Sequence, residues 1–106
     1  MKHLHYYEHT IEDDYYTQTP QNGDYVICKE NMNDENFDNF LENNIGIITE
    51  TPMHFETYEV KFDNIPQNLK GYFFNKERSF YIEQIIHFAK NKEDLELYIQ
   101  ANKYNL

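Results

Sequence analysis

Three groups of residues in this 106-residue chain have the types and spacing that chemistry needs. His3, His5 and His9 form H-x-H-x-x-x-H with Glu8 and Glu12 beside them. On a strand, His3 and His5 share a face and could chelate a divalent metal such as Zn²⁺ or Ni²⁺; on an arm with no rigid frame and no fourth ligand they hold nothing. Asn31-x-Asn33-x-Glu35-x-x-x-Asn39-x-x-Glu42 matches some offsets of a Ca²⁺ loop. Asn36 stands where that loop needs glycine, and Phe37, Phe40 and Leu41 repeat with a helical period, so a solvated acidic helix is expected. Cys28 is the single cysteine, and His54 or His87 could serve it as a base. A lone cysteine in an apolar strand is ordinarily packed and inert, and no Asp or Asn is placed to orient either histidine. G-x-S-x-G, P-loop and H-E-x-x-H motifs are absent. The expectation is a protein that is not an enzyme and carries no cofactor and no metal.

A fourth group is acidic and aromatic. Glu12, Asp13, Asp14, Tyr15 and Tyr16 are contiguous, and Asp34, Glu35, Asp38 and Glu42 follow. Carboxylates draw a basic partner over a distance, and tyrosines among them anchor it on contact. These nine residues are the candidate partner-binding set. The same acids as a merely solubilising face are the competing interpretation.

The net charge of −10 is concentrated in one part of the chain. Residues 1–59 hold 13 acids and two bases, for −11, and residues 60–106 hold six acids and seven bases, for +1. Direct binding to nucleic acid or to an anionic membrane is disfavoured by that balance. No segment has the ~18 consecutive apolar residues of a membrane span, and the first residues lack the apolar stretch of a secretory signal. A cytoplasmic location is expected, in keeping with one cysteine and no disulfide.

The elements that must position these residues follow from periodicity. Residues 1–21 read as an irregular arm leading to a turn at Thr19–Gly23. Asp24–Lys29 reads as a strand with Tyr25 and Ile27 on one face and Val26 and Cys28 on the other. Asp34–Asn43 reads as a helix, capped by Asn33 or Asp34 and buried along Phe37, Phe40 and Leu41. Ile45–Glu50 and Thr57–Asp63 read as strands joined in a hairpin. One helical turn is expected within Asn64–Phe73. Phe80–Phe88 fits a helix through Ile82, Ile85 and Ile86 or a closing strand, and the strand is preferred because the other three leave an edge. Asn91 then opens a terminal helix with Leu95, Tyr98 and Ile99 inward. The expected core is Tyr25, Ile27, Ile45, Ile47, Tyr58, Val60, Phe62, Ile85, Leu95 and Ile99.

The order Gly23-Asp24-Tyr25-Val26-Ile27-Cys28, Ile45-Gly46-Ile47-Ile48-Thr49-Glu50, Tyr58-Glu59-Val60-Lys61-Phe62, then Ile85-Ile86-His87-Phe88 resembles a small SH3-like (KOW-like) β-barrel. The resemblance covers roughly residues 22–88 and implies an α+β domain: a partly open barrel of four or five antiparallel strands, with a helical insertion and a C-terminal helix outside it. One domain over 1–106 is expected, with arm 1–21, barrel 22–88 and helix 91–106. KOW-type barrels that bind RNA do so with basic loops, and the acidic 1–59 departs from that pattern.

The usage of 13 Asn, 10 Tyr and 8 Phe against a single arginine, Arg78, reflects AT-rich codons. The chain also resembles small proteins of phages and low-GC Gram-positive bacteria. The expected function is a small acidic binding protein of phage or mobile-element type that inhibits a basic nucleic-acid-binding host protein by imitating nucleic acid. An SH3-like interaction module or a subunit of a larger assembly is the alternative. A third is a metal-binding protein using the N-terminal histidines.

Overall fold

The computed structural model describes residues 19–53 and 56–104. In chain order they form β1 (Tyr25–Cys28), α1 (Glu35–Asn43), β2 (Gly46–Glu50), β3 (Thr57–Lys61), a 3-10 turn (Gln67–Tyr72), β4 (Glu77–Tyr81), a second 3-10 turn (Ile82–Gln84), β5 (Ile85–Ala89) and α2 (Lys92–Tyr104). The strands make one antiparallel sheet in the order β4-β3-β2-β1-β5. The fold class is therefore α+β, with five antiparallel strands and two helices. The sheet is not closed into a barrel, because β4 and β5 are its opposite edges.

β1 is paired on both sides and apolar at every position, the composition of a strand covered on both faces. Val26 and Cys28 enter the larger core with Phe37, Phe40 and Leu41 of α1, Ile48, Val60, Phe62 and Phe80. Ile27 enters a second core with Ala89, and with Leu95 and Ile99 of α2. The two helices thus seal opposite faces of one central strand. Seven of the ten expected core residues are buried; Tyr25 and Ile45 pack at the rim of the second core and Ile47 is half-buried.

Two positions fix how closely the chain packs. Gly46 of β2 faces the larger core, where an added Cβ would lie 2.4 Å from Val60 Cγ1 and 2.9 Å from Phe62 Cε2. Asp24 is 2 % exposed and accepts hydrogen bonds from the Gln21 amide (2.8 Å) and Lys90 Nζ (2.7 Å). Its carboxylate ties the approach to β1 to the end of β5, and a buried charge needs such partners.

β4 corrects the expected strand set. It follows a two-residue turn in which the Phe74 and Glu77 amides each donate to the other's carbonyl at 2.9 Å. Asn75 and Lys76 both have positive φ, 52° and 68°, the mirror-image turn that suits the twist of paired strands. Residues 80–88, read as one ambiguous segment, are the end of β4, a 3-10 turn and β5.

Candidate partner-binding face

α1 and its N-cap Asp34 carry the four described residues of the expected partner-binding set. Glu35, Asp38 and Glu42 recur at i, i+3 and i+7, so they share one side, while Phe37, Phe40 and Leu41 are buried on the other. Glu35 and Glu42 are exposed. Asp38 is half-buried and takes a hydrogen bond from the Met32 amide at 3.5 Å, a marginal contact. Glu12, Asp13, Asp14, Tyr15 and Tyr16 lie outside the described residues, as do His3, His5, His9 and His54.

Asp34 has a different place from its neighbours. One carboxylate oxygen caps α1 by accepting from the Phe37 amide (3.2 Å), and the other accepts from the Tyr72 hydroxyl. The Tyr72 bond first, and the Phe37 amide second, hold the Asp34 carboxyl below its ordinary value. The same bond pushes the Tyr72 phenol up. Asp34 is thereby a joint between α1 and the first 3-10 turn.

Arg78 extends that joint into the sheet. It pairs with Val60 in register and alternates with the buried Phe80, so its side chain lies on the core face. Nε and Nη2 donate to the two carboxylate oxygens of Glu30 (2.7 and 3.0 Å), and Nη1 donates to the Tyr72 carbonyl (2.8 Å). The guanidinium carbon sits 5.0 Å from the centre of the Phe37 ring, and Phe37 stacks on Tyr72 with centroids 4.1 Å apart. Such cation–ring and ring–ring contacts each contribute about 1 kcal/mol. Hydrogen bonding to Glu30 pushes the Arg78 pKa up, so the guanidinium is a permanent cation whose charge is compensated inside the molecule.

The residues weighed for other chemistry are kept apart. Cys28 is fully buried in the larger core, and burial, with Glu30 nearby, pushes its thiol far above the ordinary value. His87 pairs in register with Ile27, on the opposite face of the sheet from Cys28, and meets Tyr98 of α2 edge to face at 4.0 Å. Burial pushes its pKa down. Asn39 and Glu42 stand exposed on a helix, so the Ca²⁺-like spacing is not a loop. Among the described residues no three His, Cys, Asp or Glu side chains gather as a metal site, and no helix is long and apolar enough to cross a membrane.

No protein-family model, curated protein or solved structure matches the chain.

Geometry adds residues that periodicity missed. Gly71–Phe74 and Glu77–Ser79, together with Glu59, line an open groove of about 710 Å³ beside β4. Phe74 is 80 % exposed. The only advance signal was the chain's single arginine placed two residues before a phenylalanine, the spacing that puts both on one strand face.

Proposed function

We propose that this chain is a small acidic binding protein whose partner is a basic protein surface, and that it competes there with nucleic acid. The observation that carries this is the charge layout. The first 59 residues hold a net −11, and within them α1 turns Glu35, Asp38 and Glu42 away from its buried side. An acidic face of this kind speeds encounter with a basic partner and repels nucleic acid itself. The AT-rich coding bias supports a phage or mobile-element source, with a nucleic-acid-binding host protein as the target. As scaffold we propose an opened SH3-like arrangement. The strand order β4-β3-β2-β1-β5, with a 3-10 turn between β4 and β5, supports it.

The test is capture of a lysine-rich histone, as a model basic nucleic-acid-binding protein, on the immobilised full chain at low and high salt. The expected result is binding that falls steeply with salt and is displaced by duplex DNA, because screening removes long-range attraction. Absence of binding at low salt, or binding indifferent to salt and DNA, overturns the proposal.

A second reading, a subunit of a larger assembly without mimicry, is favoured by the exposed apolar side chains Met53 (83 %) and Phe74 (80 %). Self-association in light scattering that persists at high salt would select it.

A further inference from the structure

The groove beside β4 is a slot between two backbone segments. One wall is Gly71–Phe74, leaving the first 3-10 turn, and the other is Glu77–Ser79 of β4. The Phe74–Glu77 turn closes one end. The Glu77 amide and carbonyl bond to Phe74 and so point away from β3, and the two-residue alternation of a strand turns those of Ser79 the same way. Beyond Ser79 the edge is closed again, because the Tyr81 amide donates to the Gln84 side chain. The opening is thus one residue pair long, too short to template a whole added strand and long enough to hold one residue of an extended segment.

The chemistry of the slot selects a cation. Glu59 and Glu77 supply carboxylates, with Glu59 oriented by a hydrogen bond from the Ser79 hydroxyl. The exposed ring of Phe74 offers a π face, which attracts ammonium and guanidinium groups. Arg78, the cation in the wall, is already engaged by both oxygens of Glu30 and by the Tyr72 carbonyl, so its charge is not offered to a ligand. Lys61 is the register partner of Glu77 and stands on the same face of the sheet, so one cation lies beside the two carboxylates, although it does not line the groove.

We propose that this groove receives a lysine or arginine side chain from an extended basic segment of the partner. The carboxylates of Glu59 and Glu77 hold the charge, the Phe74 ring covers it, and the Ser79 backbone meets the segment's main chain. The proposal rests on the reading that the partner is basic and gives that partner a specific point of contact away from α1.

Gly71 supplies the test. A Cβ there meets nothing within 4 Å and its φ is ordinary, so Gly71→Phe adds bulk at the groove lining without strain. The full-length ¹⁵N-labelled chain is titrated at low salt with blocked hexa-arginine, hexa-lysine and hexa-glutamate. The cationic peptides are expected to shift the amides of Phe74, Glu77 and Ser79, and hexa-glutamate is not. Gly71→Phe and Glu77→Lys, each checked for native signal dispersion, are expected to weaken hexa-arginine binding on the order of tenfold, the loss of one anchoring contact. Unchanged affinity in both variants overturns the groove. If affinity instead falls only when Glu35, Asp38 and Glu42 are reversed to lysine, the basic-partner reading stands and the groove does not. If neither hexa-arginine nor the histone binds at low salt, both fall together.

Discussion

The guanidinium of Arg78 grips both carboxylate oxygens of Glu30, a residue 48 positions earlier in the chain. Glu30 lies two residues beyond the end of β1 and Arg78 lies on β4, so the pair ties two non-neighbouring strands together at the border of the larger core. Their side chains are 7 % and 23 % exposed. A desolvated pair of this kind is costly to break from one side, because the remaining charge is left buried.

Arg78→Met is expected to lower stability by about 2–3 kcal/mol, since it strands the Glu30 carboxylate. Glu30→Gln with Arg78→Met should cost clearly less than the sum of the two single changes. Urea denaturation of the four proteins measures this, and additive losses would show that the pair is uncoupled.

Gly46→Ala is expected to destabilise by about 1–3 kcal/mol through overpacking, because Val60 and Phe62 occupy the space of the new methyl group. Gly71→Ala, with open space around it, should leave the denaturation midpoint nearly unchanged. Equal effects at the two glycines would contradict the packing described for β2.

Asp34 makes stability pH-dependent in a defined direction. Its folded pKa lies below the ordinary 3.8, so the unfolded chain takes up the proton first on acidification. Its contribution is complete above 3.8 and is lost as pH falls through the folded value. The stability gap between wild type and Asp34→Ala should therefore shrink below that pH. Tyr72→Phe removes the main cause and should shift the Asp34 titration upward in NMR. A titration unmoved by Tyr72→Phe would refute the assigned cause.

Cys28 should resist a thiol reagent in the native protein at mildly alkaline pH and react at once in denaturant. Its thiol is buried in the larger core and its pKa is pushed up, so the thiolate is not formed at the surface. Labelling as fast as free cysteine under native conditions would place β1 elsewhere than in the core.

Local order was legible in the residues. The period of Phe37, Phe40 and Leu41 defined α1, Asn33 or Asp34 was a visible cap, and Tyr25–Cys28 was readable as a strand with Tyr25 and Ile27 inward, whereas the burial of Val26 and Cys28 on its other face was not foreseen. The alternation of Tyr58 and Val60 with Glu59 and Lys61 set the inward face of β3. β4 was not legible. Its turn uses Asn75-Lys76 in place of Asn-Gly, and its inward position Arg78 breaks the apolar alternation. Both departures are compensated from a distance: the Phe62 amide bonds to the Lys76 carbonyl, and Glu30 neutralises Arg78.

The partner-binding set divides along the same line. Sequence by itself determined that acids gather before residue 60 and that Glu35, Asp38 and Glu42 share one side of a helix, because charge counts and helical period are local properties. Only the tertiary structure decided that Asp34 is tied to Tyr72, that Cys28 and His87 face opposite ways, that the sheet stays open at β4 and β5, and that a groove lies between Gly71 and Ser79. Each of those depends on which distant segments pair, and pairing is set by the packing of the whole core around β1, which no window of sequence contains.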